Sequence, residues 1–108
     1  MLRCTMESLS ANLLVGLEDL AADVAHARRH EDLGRLALLC YCELRPWARR
    51  AQEERLAELT WSMSLRAPPG SRELFLQRVN AVIQELESVC RRAGRPRVAD
   101  ELREARQP

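Results

Sequence analysis

The sequence predicts an all-α protein: an antiparallel four-helix bundle with a short C-terminal tail, helical or frayed. Composition and patterning carry that reading. Aromatic residues make up 4% of the 108-residue chain and charged residues 31%, with four Gly, a mixture that suits helices packed on helices better than sheets. Apolar residues recur at helical spacing through most of the chain. The breaks between periodic segments are short, and a short connection returns each helix alongside the one before it. One domain is expected over residues 1–94, with 95–108 as the tail, in a chain long enough to bury roughly 65% of its unfolded surface.

The first helix is expected to begin near Ser8 or Ser10, either of which can cap the free amides of a first turn, and to run to about Arg29. Leu9, Leu13, Leu17, Leu20, Val24 and Ala27 fall on one stripe of it. Gly16, at the edge of that stripe, reads either as a point of close approach for another helix or as a tolerated glycine costing about 1 kcal/mol against Ala. His30, Glu31 and Asp32 mark a turn, with Asp32 capping a second helix from Leu33 to about Arg45. The run Leu36 to Cys42 gives this helix apolar residues in nearly every direction, so it is expected to lie centrally, buried on most of its circumference. The run is too short to span a bilayer, which takes about 20 apolar residues.

Pro46 has no backbone N–H and disfavours helical angles at Arg45, so a third helix is expected to start there and to run to about Leu65. Ala48, Leu56, Leu59 and Met63 form its core face, whereas Trp47, Ala57, Trp61 and Leu65 turn mostly toward another side. Ala67 to Ser71 contains Pro-Pro-Gly and reads as a loop, and Ser71 caps a fourth helix ending near Gly94. Phe75, Val79, Val82, Leu86 and Val89 make its seam. Beyond it, Val98, Leu102 and Ala105 keep helical spacing, but about ten residues is marginal without docking, and a loosely attached tail is expected.

All 17 basic residues are Arg, a usage that fits the codon bias of a GC-rich, bacterial genome. Against 16 acidic residues the net charge is +1, so no global field favours nucleic acid or an anionic membrane, and neither is expected as a partner. The Arg91, Arg92, Arg95 and Arg97 cluster, like Arg45, Arg49, Arg50 and Arg55, lacks the repeated interleaved aromatics of a single-strand binder, and basic residues are expected at a helix C-terminus from the macrodipole alone. Cysteines at positions 4, 40, 42 and 90 lack the spacing of a disulfide framework, and Glu7, Ser8, Ser10 and Asn12 interrupt any signal-like apolar run. A cytoplasmic protein is expected.

Four possible metal ligands, Asp19, Asp23, His26 and His30, fall within about a 60° arc of the first helix. His26 and His30 stand one turn apart, as two imidazoles on one Zn²⁺ would, and Asp23 could be a third ligand. The same residues also read as a solvated face, with His favoured near a helix C-terminus. Cys40 and Cys42 are about 200° apart on a helix, which separates their thiols and favours a buried hydrophobic role. His30-Glu-Asp-Leu-Gly34 resembles the phosphorylatable His and following Gly of histidine phosphotransfer domains, helical bundles of similar size. The resemblance covers two residues. Those domains place a Lys before the Gly, where Leu33 stands here, and set the His within a helix, whereas His30 is expected in a turn.

Trp47, Trp61 and Leu65 are the candidate partner-binding residues, since Trp is favoured at interface anchors and all three turn away from the third helix's core stripe. The competing reading is that the first or fourth helix covers them. The sequence shows no paired nucleophile and base, no Gly-rich phosphate loop and no pair of Glu-x-x-His segments. The expectation is a non-enzymatic protein without a cofactor, an adaptor, regulator or export-chaperone-like module acting through a protein partner or as a homodimer. In general pattern it is similar to small flagellar and type III export chaperones. The alternative is a metal-binding or histidine-phosphotransfer-like bundle using the Asp23, His26 and His30 face.

Overall fold

Of the two serines that could start the first helix, Ser10 does so: its Oγ accepts the Leu13 N–H at 3.2 Å. The computed structural model describes residues 9–63 and 70–107, and all regular structure among them is helical. Helix α1 spans Ala11–Arg29. α2 (Leu33–Leu38), a π-helical segment (Leu39–Leu44) and α3 (Arg45–Arg50) follow as one continuous rod. α4 is Glu54–Trp61, α5 is Arg72–Arg92 and α6 is Pro96–Arg106. With the rod counted once, the described residues form five helices where the sequence predicts four.

The fifth helix is the C-terminal one, and the two in the middle of the chain divide at a different place from the expected one. The expected break at Pro46 does not occur. Ahead of it the rod widens over Leu39–Leu44, and the Arg45 N–H bonds to the Cys40 carbonyl five residues back. The wider turn accommodates a residue that can neither donate to the helix nor tolerate a carbonyl close behind its ring. The break comes instead after Arg50, at Ala51–Glu53, where Gln52 takes a left-handed φ of 62°. The helix expected over 46–65 is therefore divided between α3 and α4, with its expected end at Leu65 outside the described residues.

That break has the same hydrogen bonds as two others. At the end of α1, the Asp32 N–H reaches the Ala27 carbonyl at 3.0 Å and the Glu31 N–H reaches Arg28 at 3.1 Å. After α3, Glu53 reaches Ala48 at 2.8 Å and Gln52 reaches Arg49 at 3.2 Å. After α5, Arg95 reaches Cys90 at 2.8 Å and Gly94 reaches Arg91 at 3.1 Å. Each is a Schellman closure, with its left-handed residue at Glu31, Gln52 or Gly94. Each is preceded by a buried small residue and two arginines: Ala27-Arg-Arg, Ala48-Arg-Arg and Cys90-Arg-Arg. The small residue lets the corner sit on the core, and the arginines face the negative helix end.

The C-terminal segment is helical and docked, not loosely attached. Ala99, Leu102 and Ala105 of α6 are buried in the same core as Leu17 and Val24 of α1 and Ile83 and Leu86 of α5. α6 lies between α1 and α5, which touch each other little, so it supplies a layer that a four-helix bundle lacks. Docking provides the stability that about ten isolated residues would not have. Glu87 and Arg106 add a two-pronged ion pair between α5 and α6, and Arg95 Nε donates to Glu18 of α1 at 2.8 Å. The rod and α4 close the other end of the core through Leu36, Leu39, Leu44, Trp47 and Leu56. The rod is not buried all round: Leu36, Ala37, Leu39 and Cys40 face the core, whereas Leu38 and Cys42 are exposed, because α1 and α4 cover only part of it.

Candidate functional site

The three residues expected to bind a partner separate. Trp47 is a core residue, 1% exposed, with its Nε1–H donating to the Leu13 carbonyl at 2.9 Å and its ring against Gly16. α1 covers it, which also settles the role of Gly16 as a point of close approach. The sequence groups Trp47 with Trp61 by assuming one unbroken helix, and the corner at Gln52 removes that phase relationship. Trp61, at the end of α4, is 57% exposed. Leu65 lies outside the described residues.

Trp61 does not stand alone. The Arg45 guanidinium lies over its ring, 4.8 Å from the centroid, and 5.8 Å from the Tyr41 centroid, while the two rings are 5.9 Å apart. A cation held over an aromatic face is attracted by the ring quadrupole, worth about 0.5–1 kcal/mol at an exposed site. The contact favours this orientation of the exposed indole over others. The Arg45 Nε is buried without a hydrogen-bond partner, so the side chain is held by its rings and packing. Leu38, three residues before Tyr41, adds another exposed apolar side chain.

Beside Trp61 opens a groove of about 940 Å³, walled by α3 with its closing corner and by α4. Arg45, Ala48, Arg49 and Gln52 line one wall; Glu54, Ala57, Glu58 and Trp61 line the other. Both sets follow the spacing i, i+3, i+4, i+7; the second is one face of α4, whereas in the first Gln52 joins from the corner beyond the end of α3. The pattern charge, Ala, like charge, large residue is legible as Arg45-x-x-Ala-Arg-x-x-Gln followed by Glu54-x-x-Ala-Glu-x-x-Trp. In the sequence alone, Pro46 and the unbroken helical pattern after it hide that these are two elements. The alanines keep the groove floor low between charged rims.

The Asp23, His26 and His30 face takes a different form from a ligand set. The His26 and His30 rings are 4.2 Å apart between centroids, and His30 Nδ1 is 2.8 Å from the His26 carbonyl oxygen, to which it donates. Asp23 lines a shallow groove with Asp19, Cys42 and Arg50. Among the described residues, no group of three or more His, Cys, Asp and Glu side chains is placed to hold a metal ion. His30 is the exposed cap residue closing α1, outside the helix in which a phosphotransfer histidine would sit. Cys40 has the buried role expected of it, whereas Cys42, on the opposite side of the rod, is exposed. Burial pushes the Cys40 and Cys90 thiols up to about 12, so both remain protonated and behave as small apolar groups.

Among the described residues, no helix is long and apolar enough to cross a membrane. No family model matches the sequence, and no match is found among curated proteins or solved structures.

Proposed function

We propose that this chain is a non-enzymatic binding protein, of the adaptor, regulator or export-chaperone kind, whose contact surface is the α3–α4 groove with Trp61 as its anchor. The observation that carries the reading is an indole left 57% exposed with the Arg45 guanidinium lying over its ring. Leaving a large aromatic in water forfeits about 1.5–3 kcal/mol of burial, and favouring one orientation in advance lowers the ordering cost of binding. Aromatic anchors beside a groove with charged rims match the anatomy of helix-in-groove recognition. A cytoplasmic setting accords with the free thiols of Cys40, Cys42 and Cys90.

The test is a photoreactive phenylalanine analogue at position 61 in the native host, with the same residue at exposed Gln84 of α5 as a control. Irradiation is expected to give a discrete cross-linked protein from position 61 and none from 84. No adduct at 61, or the same adducts at both positions, contradicts the reading.

A further inference from the structure

The two walls of the groove are complementary to each other, and we propose that the occupant is a second copy of this chain, docked about a two-fold axis. The inference rests on the α3–α4 groove being the contact surface. The α3 wall carries Arg45 and Arg49 one turn apart, and the α4 wall carries Glu54 and Glu58 one turn apart. Among the described residues none of the four makes an ion pair within the chain. The helix face that fits a basic wall with a small residue between its charges presents acid, small residue, acid and an apolar anchor at the same spacing. The α4 face, Glu54, Ala57, Glu58 and Trp61, has that composition.

A two-fold axis makes each contact occur twice, with α4 of one copy on α3 of the other and the reverse. A partner with a single-sign face would satisfy one wall and face like charge on the other. A second copy satisfies both. Two exposed Trp61 side chains are buried in the same step, one at each end of the contact.

The test uses two charge reversals at exposed positions, Arg49→Glu and Glu58→Arg, followed by native mass spectrometry and sedimentation of each protein alone and of their mixture. The wild type is expected to dimerise with rising concentration. Each variant alone sets like charges together in both halves of the contact, and its dissociation constant is expected to rise by about tenfold or more. Mixed one to one, the variants form a heterodimer with one half wild-type and the other half reversed on both sides, so association is expected to return. An ion pair within one chain would give no such restoration.

A wild type that stays monomeric at every concentration overturns the proposal, as does a mixture no more associated than its components. Loss of helicity in either variant is checked by circular dichroism, and Arg49→Gln with Glu58→Gln provides neutral replacements, expected to weaken association without abolishing it. An adduct of doubled mass from position 61 supports self-association. An adduct of any other mass, with a monomeric wild type, leaves the groove as a binding surface and excludes the second copy as its occupant.

Discussion

The indole of Trp47 fills the space that a side chain on Gly16 would need: a Cβ there would stand 3.3 Å from Trp47 Cδ1. The ring has little room to give, since it is buried and tied to the Leu13 carbonyl at 2.9 Å. Gly16→Ala should therefore fail to gain the roughly 1 kcal/mol of helix propensity that the exchange normally brings, and should lower stability. Trp47→Phe should cost about 1–3 kcal/mol by removing that hydrogen bond, which the Leu13 carbonyl accepts beside its helical one, and by leaving part of the indole's space empty. Urea midpoints of the two variants check this, and a stabilised Gly16→Ala would show that the ring moves aside.

The three Schellman corners differ in the residue that takes the left-handed angle. Gly94 sits at φ 78° without strain, whereas Glu31 at 50° and Gln52 at 62° carry a Cβ there. Gly94→Ala is expected to destabilise by about 1–2 kcal/mol. Glu31→Gly is expected to stabilise by up to about 1 kcal/mol, because the exposed pair it removes with Arg72 is worth little. Thermal unfolding of the two variants should move in opposite directions.

The docking of α6 depends on Arg106 as well as on its apolar face. Glu87 is only 9% exposed at its side chain and accepts both hydrogen bonds from Arg106, whose own pKa that bond raises. Arg106→Ala would leave a nearly buried carboxylate without its partner, and a loss of about 2–4 kcal/mol is expected. Hydrogen exchange should show α6 losing protection first; unchanged protection would mean that Ala99, Leu102 and Ala105 dock it unaided.

Two buried thiols set an alkaline limit. Cys40 and Cys90 are raised from an ordinary value of 9.0 to about 12 in the folded chain. Above the ordinary value the unfolded chain releases these protons while the folded chain keeps them, so stability falls as pH rises from about 9 toward 12. Each thiol contributes a slope of about 1.4 kcal/mol per pH unit in that window. Cys40→Ala should shed its share of the slope, and a native-state alkylating reagent should modify Cys42 and spare Cys40 and Cys90.

The all-helical class, the caps at Ser10, Asp32 and Ser71 and the end at Gly94 were legible because each follows from side-chain chemistry at a single position. The five-helix arrangement was not. A proline inside an apolar run signals a break, and nothing in Leu39–Leu44 announces that the helix will widen to carry Pro46 through. Gln52 is no stronger a turn signal than its neighbours, so its left-handed corner went unseen, and Trp47 was phased with Trp61 across it. The exposure of Trp61 followed from its own helix, while its partners Tyr41 and Arg45 required knowing where the rod meets α4.

Trp61 is proposed to serve contact between molecules and not the fold of one. Urea unfolding of the wild type and Trp61→Ser across a range of protein concentrations tests it most directly. At the lowest concentration the two should agree within about 1 kcal/mol, the worth of an exposed cation–π contact. With rising concentration the wild-type midpoint should climb, as mass action requires of a dimer, while that of Trp61→Ser stays flat. A variant less stable by more than about 3 kcal/mol at every concentration, as a buried Trp would be, contradicts the account.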